Sequence, residues 1–305
     1  MANDALPETE REWRQSAGRH NVKNQSLHMN VKLHSASQVT YKQYLLFRTD
    51  LPSIVPPRQL NFQSLGIAPL MAQANLLLSD VRFSDYILDV TTRQTQPVWN
   101  PPWGGNEGLF RVPAIQQQQV IRHEAQNSSV RSAAEASVNT SIVSFLQAIA
   151  DLVPQSGRQW TADRSKLTAD FSTRRRKRQF VTYTDGQLED TFSRRILALI
   201  KCKRSRREDH SPAVDMQEVA QMVAWVKQHL GGPGNDMRVL VSQDGTDVYI
   251  SVFQYDQGWL RYLNGGPGSI AHAGFAYMHR YGPWNIQEAI EMEHFARIIV
   301  ALLLL

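Results

Sequence analysis

The sequence predicts a mixed α/β protein built on a small central sheet flanked by helices. Two segments, near 131–152 and 214–230, carry apolar residues at helical spacing. Short β-branched and aromatic runs bounded by turn residues lie between and after them. From about residue 131 the order is helix, strand, strand, helix, strands, helix, which suits layers of helix packed on a sheet.

Each element has its own signal. In "SAAEASVNTSIVSFLQAIADLV", Ala134, Val138, Ile142, Phe145, Ile149 and Leu152 share one helical face, and Pro154 ends it. A polar Ser/Thr/Arg-rich connection leads to "QFVTYTDGQL", where residues 180–183 suit a strand. "EDTFSRR" then reads as a turn and "ILALIKC" as the next strand. Past "KRSRREDHSP", a second helix is predicted over 214–230, with Met216, Val219, Val223, Val226 and Leu230 on its apolar face. Pro212 lies ahead of it and "GGPG" (231–234) behind. "RVLVSQDGTDVYISVFQY" predicts a hairpin with Asp244-Gly245 at its tip. "NGGPGS" lacks both the strand–loop–helix context and the Lys-Ser/Thr ending of a phosphate-binding loop. A last helix is expected from about 285 to 305.

The first 110 residues read differently. Pro-rich pieces ("LPSIVPP", "VWNPPWGG") interrupt short apolar runs, and no internal repeat is present. A partly ordered N-terminal extension over 1–110 is expected ahead of a domain over 111–305, with Trp99 and Trp103 pinned to the main body. Trp225, Trp259 and Trp284 read as core or partner surface rather than as base-stacking platforms.

Composition narrows the class. A chain of 305 residues, 42% hydrophobic and 20% charged, has ample material for a core. The single cysteine, Cys202, excludes an internal disulfide and a cysteine-based zinc site, and suits a reducing compartment. The nine histidines show no paired metal-ligand spacing on one predicted helix, and no G-x-S-x-G elbow occurs. The start "MANDALPETEREWRQ" has no basic region followed by an apolar one, and the apolar "ARIIVALLLL" is too short to span a bilayer. The expectation is an intracellular protein, cytoplasmic or nuclear, without a membrane partner.

The net charge of +5 is unevenly placed. Residues 174–207 hold twelve Lys or Arg against three acids, so this window is +9 and the remainder −4. Such asymmetry points to a polyanion, nucleic acid (DNA or RNA) first. The candidate contacts are Arg174, Arg175, Arg176, Lys177, Arg178, Arg204, Arg206 and Arg207. A solvated face, or a nuclear-import signal in "RRRKR", would give the same composition. Within the window, Lys201 and Lys203 lie two apart on a predicted strand and so project from one face. Like charges there need compensation.

The run of helix, strand with "TDGQL", turn, strand ending "ILALIKCK", then helix with "MQEVAQMVAWV" resembles the core of PD-(D/E)XK nuclease-like proteins. It is similar in particular to poorly characterised fungal proteins that carry this domain, which also share "QYDQGWLRYLNG", "YGPWNI" and a closing apolar helix. The resemblance covers about residues 130–305 and implies a restriction-endonuclease-like core. It aligns Asp185 with the Asp of the Pro-Asp motif, Thr184 standing in place of the proline. Lys203 aligns with the motif lysine, and Lys201 falls where Asp or Glu belongs. Glu135 aligns with an auxiliary helix acid, and Gln217 or Gln221 with the polar residue of the second helix. Each has a plain structural alternative: a turn at Asp185-Gly186, a strand-end lysine at Lys203, solvated side chains at Glu135, Gln217 and Gln221.

Phosphodiester hydrolysis needs a hard cation, Mg²⁺ or Mn²⁺, to polarise the phosphate and acidify a water. Carboxylates on two adjacent strands hold that ion in the family. An ammonium at position 201 offers donors and no lone pair. The first expectation is therefore a nuclease-fold protein with a degenerate metal site, Asp185 its one remaining metal ligand. It binds nucleic acid or another polyanion without cleaving it and needs no cofactor. An active Mg²⁺- or Mn²⁺-dependent nuclease would need a migrated carboxylate from Glu135, Glu189 or Asp190. A third reading is a protein-interaction scaffold whose partner docks on the N-terminal extension.

Overall fold

In the computed structural model, which describes residues 5–29, 31–95, 108–125, 131–173, 176–229, 237–265, 270–271 and 273–305, a mixed sheet is held between two layers of helices. The N-terminal part supplies helices α1 (Glu10–Arg19) and α2 (Tyr41–Leu45), the short strand β1 (Thr49–Asp50), and helices α3 (Met71–Leu78), α4 (Val81–Thr95) and α5 (Arg111–Ala125). Helix α6 (Arg131–Asp151) then leads into β2 (Arg158–Thr161), β3 (Lys166–Asp170), β4 (Gln179–Tyr183), β5 (Gly186–Asp190) and β6 (Ile196–Lys203). The rest is α7 (Ala213–Gln228), β7 (Met237–Asp244), β8 (Asp247–Tyr255), α8 (Gln257–Asn264), β9 (Ala276–Asn285) and α9 (Ala289–Leu304).

The main sheet has the order β1-β9-β8-β7-β6-β5-β2, and β3 and β4 pair in a separate ribbon. β6 and β7 are parallel because α7 carries the chain back between them. β2, β5 and β6 form an antiparallel meander, and β7, β8 and β9 form another.

Strand alternation sorts the side chains into two cores. From β6, Ala198, Ile200 and Cys202 enter a core shared with α3, α4, α5, α6 and α9, while Leu199 enters one shared with α1, α2, α7, α8 and the β3–β4 ribbon. The face toward α7 changes character along the strands. Leu199, Leu240, Phe253 and Met278 are apolar and buried, whereas Lys201, Ser242, Ser251 and Arg280, each two residues along from one of them, are polar and also buried. Helix α7 mirrors this, with Asp215, Glu218 and Gln221 toward its start and Met222, Trp225 and Val226 toward its end, all buried.

Residues 5–95, expected as an extension, contribute to both cores and to the sheet edge through β1. Two side-chain donors of α8 tie this segment down, Trp259 Nε1 to Phe47 O (2.8 Å) and the Tyr262 hydroxyl to Leu46 O (2.7 Å), and Trp13 Nε1 joins α1 to Leu45 O (2.8 Å) within it. The Arg48 guanidinium packs over the rings of Trp13 and Tyr262, 4.7 and 4.8 Å from their centroids. Trp225, Trp259 and Trp284 are all buried core residues. Trp99, Trp103, Leu230 and the "GGPG" stop lie outside the described residues, as does the side chain of Ala134.

Three boundaries differ from expectation. "QFVTYTDGQL" splits at Thr184-Asp185: β4 pairs with β3, and β5 enters the main sheet. Glu189 and Asp190, expected in a turn, are strand residues because β5 is paired on both sides, by β2 and β6. "AYMHRYGPWN" is strand β9, so the last helix starts at Ala289 rather than near 285. Its apolar residues 298–303 are buried, as expected of a core helix. Among the described residues, no helix is long and apolar enough to cross a membrane.

Gly186 lies where β5 meets both neighbours. A Cβ there would stand 2.5 Å from Thr161 O and 3.0 Å from Ile200 Cδ1, so even alanine forces backbone to move. Gly186→Ala is expected to destabilise the fold by about 1–3 kcal/mol. Gly18→Ala, in the open last turn of α1, is expected to cost nothing and to gain up to about 1 kcal/mol. Urea unfolding of both variants checks the contrast.

Candidate functional site

The residues around Asp185 are set by backbone bonding. Thr184 N–H donates to Ser165 O (3.0 Å) and its Oγ1 accepts from Ser165 N–H (2.9 Å). A proline here would lose the first of these bonds, which gives threonine at this position a structural reason. Asp185 N–H donates to Ile200 O (3.0 Å), which places the aspartate beside the end of β6.

Lys201 reaches across from β6 and its Nζ donates to Asp185 Oδ2 at 2.6 Å. Cys202 N–H donates to the same oxygen at 3.0 Å, and Arg164 Nη2 stands 3.6 Å from Oδ1. Asp185 and Lys201 are only 6% and 4% exposed, so this is a buried ion pair rather than a solvated one. Removing one partner of such a pair typically costs about 3–5 kcal/mol, because the other charge is stranded.

The other expected residues are less close. Lys203 is half-buried at the end of β6 and makes no ion pair with Asp185. Burial lowers the His210 pKa, and the Lys203 charge adds to that effect. Glu135 is half-buried on α6, one helical turn before Asn139, whose Oδ1 lies 3.6 Å from Cys202 Sγ. It thus serves the α6 side of the sheet, the side opposite Lys201. Gln221 is buried and donates through Nε2 to Tyr183 O at 2.8 Å, while Gln217 is half-exposed. Cys202 is fully buried, and burial pushes its thiol well above the ordinary range, so it stays protonated.

The site does not fit a metal ion through these residues. Both oxygens of Asp185 face cations, and the side chain beside it, Lys201, is an ammonium with no lone pair to offer. Glu189 is four residues along β5, roughly 13 Å at about 3.3 Å per residue, and is engaged by Gln187 and Arg194. Asp190 accepts from Ser193 N–H at 2.6 Å and shapes the turn. Among the described residues, no three His, Cys, Asp or Glu side chains are grouped to hold a metal.

Sequence reasoning missed the most heavily bonded group in this region. Arg207 is 2% exposed and lies beneath α7 rather than on the surface. Its Nε donates to Asp244 Oδ2 (2.8 Å), Nη1 to Asp215 Oδ1 (3.1 Å) and Glu218 Oε2 (3.0 Å), and Nη2 to Glu218 Oε1 (2.6 Å) and Ser242 Oγ (3.0 Å). Arg280 Nη1 joins at Asp215 Oδ1 (2.7 Å), and Ser211 Oγ donates to Asp215 Oδ2 (2.6 Å). Burial works against the Arg207 charge, but Glu218, Asp244 and Asp215 outweigh it and hold its pKa above the ordinary value. Two guanidiniums face three carboxylates here. Burial pushes Asp244, which accepts a single bond from Arg207, up to about 7. The available signal was a pair of acids, Asp215 and Glu218, three apart on a largely apolar helix.

This corrects the nucleic-acid contacts. Arg207 is core, and Arg178 is largely buried, with its Nη2 donating to Val31 O. Arg206 is paired with Glu124 at 2.7 Å. Arg176 and Lys177 are exposed, and Arg204 is half-exposed; Arg174 and Arg175 lie outside the described residues. Arg176, Lys177 and Arg178 sit at the far end of β4 from Asp185, and Arg194 and Arg195 at the far end of β6 from Lys203. The basic window is therefore spread over several places rather than gathered on Asp185.

No protein-family model matches the chain, and none of the curated proteins matches it at a significant level.

The pairing of Asp185 with Lys201 is tested by a mutant cycle. Asp185→Asn and Lys201→Met are each expected to lose about 3–5 kcal/mol in urea unfolding, and the double variant less than either single one. Losses that simply add would show that the two charges do not stabilise each other.

Proposed function

We propose that this protein is a nuclease-fold binder of nucleic-acid backbone, DNA or RNA, whose metal site is degenerate and which does not cleave. The observation that carries the reading is the buried Lys201–Asp185 pair, which puts an ammonium where a metal-dependent nuclease needs a carboxylate and its ion. The succession of α6, β2, β5, β6, α7 and β7, with β6 and β7 parallel, supports the likeness to PD-(D/E)XK cores.

Around this neutralised centre Arg164, Lys203 and Arg204 are accessible cations, with the acids Asp163, Glu208 and Asp209 exposed close to them in the chain. Arg164 is well exposed beside Asp185, and Lys203 and Arg204 follow Lys201 out of the sheet. Phosphate oxygens can accept from these groups without any base being read, so the recognition is electrostatic and tolerant of sequence. The carboxylate of Asp185 serves to hold Lys201 and Arg164 in place. No water-activating step follows from this arrangement.

Binding of fluorescent single-stranded DNA, duplex DNA and RNA tests the proposal. About three phosphate contacts predict roughly a 40-fold loss of affinity between 50 and 200 mM salt. Replacing both Lys203 and Arg204 by alanine should lower affinity for all sequences alike and reduce the salt slope by about 2. Affinity that barely changes with salt would contradict the electrostatic reading. Cleavage in Mg²⁺ or Mn²⁺ that disappears in Asp185→Asn would contradict the non-cleaving one.

A further inference from the structure

A second set of cations, at the other end of the sheet, surrounds a cavity of about 700 Å³. It lies at the N-terminal ends of β6 and β7, seven residues along β6 from Lys203, or about 23 Å at strand spacing. Volumes of this order are those of small-molecule sites rather than of packing defects. It is independent of the proposed backbone-binding function.

The lining has a consistent chemical sense. Arg158, Lys166, Arg194, Arg195 and Arg238 contribute to the wall, and no Asp or Glu is among its described lining residues. Arg194 is occupied by Glu189 at 2.8 Å, and Arg158 Nη1 donates to Leu302 O at 2.7 Å. Lys166 and Arg195 are exposed, and neither has an ion-pair partner among the described residues. Arg238 packs over the Trp225 ring, 5.3 Å from its centroid, and its Nη1 donates to Met237 O at 3.0 Å, which holds its guanidinium at the wall. Trp160 Nε1, buried in the same wall, has no hydrogen-bond partner among the described residues. The His229 imidazole is held below its ordinary pKa by burial first, then by Arg238 and Arg195, so the two guanidinium fields overlap there. The floor is apolar, with Leu188, Ala198, Val239 and Leu302. The Lys166 and Arg195 cations and the Trp160 Nε1 donor around an apolar floor call for a ligand with anionic oxygens at one end and an apolar or planar body at the other.

We propose that this cavity is a binding site for a small organic phosphate, whose phosphate oxygens accept from Lys166, Arg195 and Arg238 while its body rests on Leu188, Ala198 and Val239. Calorimetric titration of the full chain with ADP and with inorganic pyrophosphate, at 50 mM salt, tests it. ADP is expected to bind at least five-fold more tightly than pyrophosphate, because only ADP has a body for the floor. The double variant Lys166→Glu/Arg195→Glu alters exposed side chains and is expected to weaken ADP at least ten-fold with an unchanged urea midpoint. Lys203→Ala/Arg204→Ala, at the opposite end, should leave ADP within two-fold of the unaltered chain. In the unaltered protein, ADP should also raise the His229 pKa, read from its imidazole proton shifts. The proposal is overturned if ADP binds no better than pyrophosphate, if neither binds below 1 mM, or if Lys166→Glu/Arg195→Glu binds ADP unchanged.

Discussion

The fold depends most on one buried side chain, Arg207. Its five hydrogen bonds reach Asp215 and Glu218 of α7 and Ser242 and Asp244 of β7, and through Asp215 they meet Arg280 of β9. The Arg280 guanidinium in turn donates to Pro52 O at 3.0 Å, so the N-terminal segment is tied to the same network. A charge this deep is tolerated only because every donor is answered and three carboxylates surround it. Truncating Arg207 would leave those carboxylates buried together, a much larger penalty than the loss of one contact. The network also fixes where the chain goes after β6, and hence how Lys203 and Arg204 are presented.

The same end of the sheet carries the Asp185–Lys201 pair. Apolar side chains fill the α7-facing surface at one end of the strands and polar ones at the other, so the helix lies over a core that is dry at one end and ionic at the other. Lys201 completes that ionic end. With Asp185 already answered by Lys201, Cys202 N–H and Arg164, both of its oxygens face donors. The cavity at the opposite end is lined by a separate set of cations.

Much of the scaffold was legible in the sequence. The apolar spacing from Val138 to Leu152 and the run at 214–230 marked α6 and α7, and Asp244-Gly245 marked the β7–β8 turn. Like charges at Lys201 and Lys203 on one strand face demanded compensation, and Asp185 supplies it for Lys201. Other features were not legible because they depend on distant partners. Glu189 looked like turn chemistry, yet pairing with β2 made it a strand residue. Arg207 sat in a visibly basic run and carried no local mark of burial; only the acids of α7 and β7, eight to thirty-seven residues on, explain it. The N-terminal helices were hidden because their apolar faces are short and answer in large part to distant elements such as α6, α8 and α9.

The account stands or falls on Lys201 occupying the place of a cation at Asp185. Mn²⁺ binding followed by electron paramagnetic resonance addresses this directly, in the unaltered protein and in the Asp185→Asn and Lys201→Glu variants. The account predicts no Asp185-dependent Mn²⁺ site in the unaltered protein and a new one in Lys201→Glu, where a second carboxylate replaces the ammonium. Mn²⁺ bound by the unaltered protein and lost in Asp185→Asn would contradict it.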